Sequence, residues 1–284
     1  MTGPAPLDDF EAHRGFLAGL AYRMLGSVAD SEDVVQDAFL RWHSVDRAAV
    51  AEPRAYLARV VSRLCLDRMK SAQQRREQYV GTWLPEPVVA EPAERLADDL
   101  SVALLLALER LSPLERAAFL LHDVFDMDYS AVAEVLDRGE PACRQLAARA
   151  RAHLQDKQPR YEPRVDEAER LAQAFLTAAA TGDVDALSRM LKHDAVLYTD
   201  GGGKRIAALN PIFGKEKIVR FYRGLQAKGR AFAAVRLERV MLNGLPGIVF
   251  DTREGTETVA FEVTHGEISA IYAVRNPDKL RHFS

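Results

Sequence analysis

Residues 112–154 read SPLERAAFLLHDVFDMDYSAVAEVLDRGEPACRQLAARARAHL and contain a series of helix-start and turn signals. Ser112 and Glu115 form a capping-box pattern around Pro113, so the hydroxyl and the carboxylate can satisfy the free backbone donors of a helix start. A second helix is expected after Asp128, because the apolar residues that follow it recur with a helical period. The stretch therefore predicts short helices in tandem.

A third helix is predicted near Glu140, after a turn at residues 137–139. Short helix, tight turn and basic helix is the order of the helix-turn-helix motif. We expect the apolar side of the last helix to be buried and its other side to be exposed and to bind DNA. The predicted DNA-binding residues of this helix are Glu140, Arg144, Gln145, Arg149 and Arg151, with His153 also expected to be exposed. The alternative is an ordinary helical hairpin whose arginines are only solvated.

Composition limits the class of protein. The 284 residues suffice for two or three domains, and the 48% hydrophobic content can fill packed cores. No apolar run approaches the length of a membrane span and the first residues lack a signal-sequence pattern, so we expect a cytoplasmic protein without a membrane partner. Cys65 and Cys143 look like core residues rather than metal ligands. The net charge of −3 implies that any DNA-binding surface is local.

Punctuation and periodicity divide the chain into five segments. A helical segment is followed by a linker, because Pro85, Pro87 and Pro92 forbid regular helix. The basic helical segment comes next, then a connector and a final segment of different period. The predicted boundaries are 1–77, 78–97, 98–156, 157–164 and 165–284.

The last segment predicts helices followed by a strand meander. Turn dipeptides separate its strand-like runs at Asn243/Gly244, Glu254/Gly255 and His265/Gly266. Helices are expected at 166–180, 184–191 and 215–226, and strands at 195–199, 234–242, 248–251, 257–264 and 267–274. The fold class is thus multidomain, with two all-α domains followed by an α+β domain whose curved sheet is antiparallel.

The first helical segment has a charge pattern of its own. Acidic residues sit in the first turns of its second helix, where they favour the positive end of the helix dipole. These residues are Asp30, Glu32, Asp33 and Asp37. The next helix is basic and carries Arg54, Arg59, Arg63, Arg68 and Lys70 before Arg75 and Arg76. One helix can offer an acidic face to a basic protein and the other a basic face to phosphates. The alternative is two solvated faces that attract each other.

These residues resemble a known family. The run 33–40, DVVQDAFL, resembles the core-polymerase-binding helix of bacterial extracytoplasmic-function (ECF) sigma factors. Residues 53–68 resemble their helix that reads the minus-ten promoter element, and residues 111–116 with 129–154 are similar to region 4, which reads the minus-thirty-five element. The resemblance implies core-polymerase contacts at Asp33, Gln36, Asp37 and Leu40. Gly139 and Pro141 depart from the serine-led helix start of that family.

Three further motifs resemble the subgroup of these sigma factors with a fused SnoaL-like extension, which has a cone fold similar to nuclear transport factors. The motifs are WLPEP at 83–87, DGGGK at 200–204 and NPDKL at 276–280. The resemblance implies that the extension controls the sigma factor from within the same chain. We expect intramolecular docking through Trp83, Leu84, Asp200, Gly201, Gly202, Gly203, Lys204, Asn276, Pro277, Asp278, Lys279 and Leu280. The alternative for the last two motifs is a turn and a frayed tail.

The motifs predict a sigma factor that performs no chemistry and needs no cofactor, with core RNA polymerase and promoter DNA as partners. Glycines 201–203 lack the spacing of a phosphate-binding loop and rather permit positive φ and close backbone approach. The alternative is a DNA-binding regulator whose SnoaL-like domain senses a small ligand or acts as an enzyme. Its candidate catalytic residues are His193, Asp194, Tyr198 and Asp200. The aromatic residues Phe213, Phe221, Tyr222, Phe261 and Tyr272 can line such a pocket or fill the core.

Overall fold

The computed structural model describes residues 6–46, 50–77, 79–89, 101–154, 165–228 and 236–283. They fall into two compact units. The first comprises Met1–Glu77 with Ala103–Gln158, and the second comprises Gln78–Val102 with Pro159–Ser284. The linker thus belongs to the same compact unit as the C-terminal segment. Within the described ranges, no helix is both long and apolar enough to cross a membrane.

Helices build the first unit. They are α1 (Pro6–Leu25), α2 (Val28–Ser44), α3 (Pro53–Glu77), α4 (Val102–Leu108), α5 (Pro113–Phe119), α6 (Tyr129–Leu136) and α7 (Glu140–Leu154), with a π-helical stretch at Leu120–Val124. The Ser27 hydroxyl caps α2 by accepting a hydrogen bond from the backbone N–H of Asp30. Pro53 lies at the start of α3, as its fixed φ favours. The sequence did not indicate the π-helical stretch.

The apolar residues of the first three helices form a common core. Leu17, Leu20 and Met24 of α1 are fully buried, and so is Val34 of α2. The large fully buried side chains of the same core also include Trp42 and Leu57. Each such side chain contributes roughly 1.5 to 3 kcal/mol when it leaves water. The three helices therefore hold together by ordinary hydrophobic packing.

Helices α5 to α7 have the predicted helix-turn-helix order. The capping box is present, with Ser112 Oγ accepting from the Glu115 N–H and Glu115 Oε2 accepting from the Ser112 N–H. Asp137 ends α6 in the left-handed conformation, with a φ of 54°. Helix α7 then begins at Glu140. Gly139 therefore precedes the helix and Pro141 lies in its first turn, although neither residue fits the serine-led helix start of the family.

Two polar contacts tie the helix-turn-helix to the first three helices. The side chain of Arg116 is 2% exposed, and its Nη1 donates to the Met24 carbonyl at 2.6 Å and to Glu109 Oε1 at 2.7 Å. Burial lowers the pKa of Arg116 to about 10, so the guanidinium still carries its charge at neutral pH. On the surface, Arg59 of α3 pairs with Glu134 of α6 at 3.0 Å.

The second unit packs helices on a sheet. The helices are α8 (Val165–Thr181), α9 (Val184–Met190) and α10 (Lys215–Ala227). The strands are β1 (Leu191–Asp200), β2 (Ile212–Phe213), β3 (Arg236–Leu242), β4 (Leu245–Thr252), β5 (Gly255–Thr264) and β6 (Glu267–Val274). The sheet order is β2-β1-β6-β5-β4-β3. Short 3-10 helices follow at Pro277–Lys279 and Arg281–Phe283.

The sheet is mixed, which corrects the prediction of an antiparallel one. Strands β3 to β6 form the expected antiparallel meander. Strand β1 pairs in parallel with β6. The chain between them passes through α10 and the antiparallel strands β3 to β5, and β6 then runs beside β1 in the same direction. The prediction of tight turns is confirmed, since Asn243 and Gly244 both have positive φ, as do His265 and Gly266.

The two faces of this sheet are covered differently. The helices bury one face around Phe175, Tyr222 and Phe261. Side chains of the linker approach the other face, where Leu84 and Pro85, with Pro87, line a cavity of about 10 Å³ together with Thr258, Ala260, Tyr272 and Val274. Of the aromatic residues proposed for the core, Phe213 is an exception, since it is 60% exposed on the edge strand β2.

Candidate nucleic-acid interface and linker clasp

Helix α7 presents two arginines to solvent. Arg144 is 57% exposed in its side chain, pairs with Glu140 at 2.8 Å and lies over the Tyr129 ring at 5.1 Å. Arg149 is 54% exposed and pairs with Glu115 at 3.1 Å. An exposed ion pair such as Arg144–Glu140 is worth at most about 1 kcal/mol, so the Arg144 guanidinium can exchange its partner for a nucleic acid. The Arg149 guanidinium is exposed as well, whereas its partner Glu115 is only 11% exposed in its side chain. Gln145 is exposed beside them.

Arg151 departs from the expected exposure. Its side chain is 38% exposed, and it donates to Asp123 Oδ1 at 2.6 Å and to the Tyr129 hydroxyl at 2.7 Å. These hydrogen bonds raise its pKa above the ordinary arginine value. Arg151 therefore holds α7 against the preceding helices, and its position in the sequence did not reveal this. His153 is exposed, as expected.

The basic residues of α3 are placed in different surroundings. Arg54 lies over the Phe16 ring at 4.6 Å, and Lys70 pairs with Asp67 at 2.9 Å. Arg63 is exposed, whereas Arg59 is bonded to Glu134. The side chains of Arg75 and Arg76 lie outside the described residues.

Arg68 joins the predicted DNA-binding face of α3 to the predicted polymerase-binding face of α2. Its guanidinium lies 3.4 Å from Asp30, 3.3 Å from Asp33 and 3.3 Å from Asp37. The two charged faces thus attract each other at this point, as the alternative interpretation of the pattern held. Gln36 and Leu40 make no hydrogen bond to Arg68 among the described contacts, and both are exposed, Leu40 to 60%.

The second unit contains a buried carboxylate that collects donors from three parts of the chain. Asp200, at the end of β1, has no solvent exposure. It accepts hydrogen bonds from the Tyr79 hydroxyl at 2.5 Å, the Leu84 N–H at 2.9 Å and the Gly202 N–H at 3.0 Å. Lys279 Nζ lies 2.7 Å from the same carboxylate. Burial and the hydrogen bond to Asp200 raise the pKa of Tyr79, which therefore acts as a donor.

Lys279 is the cation of this arrangement. It is 6% exposed and also donates to the Leu84 carbonyl. Its Nζ lies 4.2 Å from the Trp83 ring centroid and 5.0 Å from that of Tyr79, which adds cation–π attraction. We call Tyr79, Trp83, Leu84, Asp200 and Lys279 the linker clasp.

The glycines after Asp200 allow this close approach. Gly202 has a φ of 58°, and a Cβ there would lie 2.2 Å from the Asn276 side chain. Gly203 has a φ of 72° and faces Val80 of the linker, and a Cβ on Gly201 would lie 2.2 Å from the Arg205 carbonyl oxygen. Larger residues would therefore push the linker and the tail away from the sheet.

The NPDKL tail closes the other side of the linker clasp. Asn276 caps the 3-10 helix that begins at Pro277, and its Nδ2 donates to the Tyr79 hydroxyl at 2.8 Å. Lys204 pairs with Asp278 at 2.5 Å on the surface, and Leu280 is 2% exposed. The pairs Asp200–Lys279 and Lys204–Asp278 thus join the DGGGK and NPDKL motifs.

Some contacts of the linker were missed by the sequence reasoning. Tyr79 precedes the WLPEP motif and carries no pattern of its own. The His282 ring hydrogen-bonds the Pro87 carbonyl at 2.7 Å, and the Val88 N–H donates to the Asn243 side chain at 3.2 Å. The prolines of the linker and the aromatic residues of the tail were the only signal in the sequence, and they did not indicate which residues form these hydrogen bonds.

The candidate catalytic residues His193 and Asp194 are not brought together with Asp200. His193 and Asp194 are exposed near the start of β1, where Asp194 pairs with Lys192 at 3.1 Å. Asp200 lies about 20 Å further along the strand, estimated from the usual rise per residue, and its carboxylate is engaged in the linker clasp.

Comparison with known proteins gives consistent similarities. The family model for Sigma-70 region 2 matches residues 10–76, and that for Sigma-70, region 4 matches residues 101–154. The ECF RNA polymerase sigma factor SigJ of Mycobacterium tuberculosis is 41% identical over 96% of this chain and 92% of its own length. The crystal structure of Mycobacterium tuberculosis extracytoplasmic function sigma factor SigJ aligns with a TM-score of 0.78 at 36% identity, covering 97% of this chain and 98% of that one.

Replacing Lys279 with methionine should destabilise the second unit. The change leaves the Asp200 carboxylate buried without its cation, and breaking a buried pair in this way costs about 3 to 5 kcal/mol. Urea unfolding should show the loss, and limited proteolysis should cut the linker faster. The matched control is Lys204→Met, which breaks an exposed pair and should cost less than about 1 kcal/mol. Equal, small losses for both variants would show that the buried pair does not hold the linker.

Proposed function

The chain belongs to the extracytoplasmic-function RNA polymerase sigma factors, and we propose that separate surfaces of it bind the polymerase, the promoter and its own linker. It is a transcription initiation factor that binds core RNA polymerase and directs initiation at specific promoters. Its site of action is the cytoplasm, where its partners act.

The exposed side of α2 is the proposed polymerase-binding surface. Asp33 and Asp37 are 64% and 48% exposed in their side chains, and Leu40 is 60% exposed beside them and Gln36. An exposed leucine flanked by carboxylates suits a partner surface with an apolar pocket and basic residues around it. The hydrogen bonds from Arg68 to the two aspartates are long, at 3.3 Å each, so a basic partner can replace Arg68 there.

Helix α7 is the proposed reader of the minus-thirty-five element. The observation that carries this assignment is the helix-turn-helix order with Arg144, Gln145 and Arg149 together on the exposed side of α7. Arginine and glutamine at such positions can read base edges or bind phosphates. Arg54, Arg59, Arg63, Arg68 and Lys70 of α3 are the proposed contacts to the minus-ten element. Glu140 and Arg151 are proposed to position α7, Glu140 through Arg144 and Arg151 through Asp123 and Tyr129, and not to contact DNA themselves.

The linker clasp is the proposed control element of the C-terminal domain. The linker is the covalent connection between α3, which ends region 2, and α4, which begins region 4. Residues 79–89 run along the second unit, fixed at Asp200, Asn243 and Lys279. Because the C-terminal domain holds this connection, it limits how far the two promoter-reading regions can separate. The domain therefore sets initiation without a separate regulatory protein.

Regulation by a small ligand and catalysis are less well supported for the C-terminal domain. The space between its helices and sheet is filled by aromatic residues in contact, with Phe175 and Phe261 centroids 5.4 Å apart and Phe175 and Tyr222 centroids 5.3 Å apart. Asp200, the buried carboxylate of β1, is used by the linker clasp. We therefore propose that the domain acts through its contacts with the linker and performs no chemistry.

Alanine at Arg144 or Arg149 should weaken promoter use. Loss of a base-reading arginine costs about 1 to 3 kcal/mol and relaxes sequence preference, whereas loss of a phosphate contact mainly lowers the salt dependence. Run-off transcription with core polymerase, on promoters with intact and altered minus-thirty-five elements, measures both. Arg138→Ala, outside α7, is the control. Wild-type output from both variants, on a promoter that needs this element, would contradict the assignment.

Charge reversal at Asp33 and Asp37 to lysine should weaken binding to core polymerase by placing like charges against a basic partner surface. Affinity for core polymerase can be measured by fluorescence anisotropy, with circular dichroism as the folding check. Glu32→Lys reverses a neighbouring exposed acid outside the Arg68 network and should have a smaller effect. Unchanged core affinity of the folded double variant would exclude this face of α2.

Trp83→Ala and Gly202→Val should change promoter output in the same direction. The first removes a ring that packs on Lys279, and the second forces Asn276 away from the glycine loop. Run-off transcription and linker proteolysis are the paired measurements, and Val89→Ala, a partly exposed linker position, is the control. If both variants loosen the linker and leave transcription unchanged, the C-terminal domain is a passenger.

A further inference from the structure

One group of positive charges lies outside the surfaces proposed to bind the polymerase, the promoter and the linker. Helix α10 carries Lys215, Lys217, Arg220 and Arg223, and Lys228 lies at its C-terminal cap. Glu216 is the only acidic residue in the helix. This concentration stands out in a chain whose net charge is −3.

The orientation of this helix is fixed by its apolar side. Ile218, Val219 and Tyr222 are buried in the core of the second unit. Lys217, Arg220 and Arg223 recur at intervals of three residues on the opposite side, and all three are exposed. We call Lys217, Arg220, Arg223 and Lys228 the α10 basic face. A rigid helix therefore presents these cations together, along about 16 Å of its axis.

The cations of the α10 basic face differ from Arg149 and Arg59 of the predicted DNA-binding helices in that they form no ion pair with a described carboxylate. Arg149 of α7 and Arg59 of α3 are each bonded to a carboxylate, as described above. Among the residues that the structure describes, no ion pair involves Lys217, Arg220 or Arg223. A cation without a bonded carboxylate loses no partner when it meets a phosphate, so these side chains are ready to bind a polyanion.

A groove beside this face argues against a small anionic ligand. The groove, about 280 Å³ in volume, lies between α9 and α10 and is lined by Ser188, Arg220 and Arg223 but also by Asp185 and Glu216. The two carboxylates repel an anion held inside the groove. Apart from Glu216, no residue of α10 carries a carboxylate. The outer side of the helix therefore suits an extended chain of phosphates.

We propose that the α10 basic face binds the phosphate backbone of duplex DNA without sequence preference. The partner rests on the proposed function, because promoter binding by the sigma regions brings duplex DNA to the same molecule. A tethered contact of this kind operates at an effective concentration of about millimolar, so a few phosphate contacts suffice. The length of the face corresponds to about five base pairs of duplex.

The test compares two triple variants of the full chain with equal loss of charge. One is Lys217→Gln, Arg220→Gln and Arg223→Gln. The control is Arg170→Gln, Arg236→Gln and Arg253→Gln, at exposed positions outside α10. Affinity for promoter duplex and for random-sequence duplex is measured by anisotropy over a range of salt concentrations.

The α10 variant should bind both duplexes roughly ten- to hundredfold more weakly at low salt, and its slope of log affinity against log salt should fall by about 2 to 3. Glu216→Gln should strengthen binding, since it removes the carboxylate of the same face. Equal slopes for the two triple variants, whether changed or unchanged, would overturn the proposal. A wild-type chain that fails in run-off transcription, while the slope difference persists, would refute the sigma function and leave the DNA-binding face supported.

Discussion

The structure of the second unit depends on one buried carboxylate, which requires hydrogen-bond donors and a cation. Asp200 has no contact with water, so its charge must be met by donors and a cation from the protein. The donors come from the linker through Tyr79 and Leu84, and the cation comes from the tail through Lys279. Segments far apart in sequence are therefore fixed at one point, and the glycine loop, the tail and the linker take their conformations from it.

The charges of the first unit follow a different rule. Arg68 and Arg59 are bonded to carboxylates on the surface, where each pair is worth about 0 to 1 kcal/mol. Such pairs orient the side chains, and a basic or phosphate-bearing partner can displace them at little cost. The buried pair at Lys279 is costly to break and the surface pairs are not, which separates the element that holds the linker from the surfaces proposed to bind partners.

The sequence predicted the elements better than it predicted their contacts. Capping residues and apolar periods gave α2, α3 and α5 to α7, because these signals are local. The parallel pairing of β1 with β6 depends on partners about 75 residues apart in the chain, and no local pattern of β1 encodes it. The motifs around Trp83, Asp200 and Lys279 indicated where the linker docks. Tyr79 and the partners of Arg151 could not be predicted, since each is defined by a neighbour that only the folded chain supplies.

Contact between region 2 and region 4 has a consequence for promoter geometry. The names of the two promoter elements place them about 25 base pairs apart, which is about 85 Å of duplex at 3.4 Å per base pair. Yet Arg59 and Glu134, one on each region, lie 3.0 Å apart, and Arg116 of region 4 reaches the Met24 carbonyl of region 2. We therefore expect that regions 2 and 4, held together by these contacts, do not reach both elements at once. We expect these contacts to break on the promoter, and the return of the buried Arg116 charge to water offsets part of that cost.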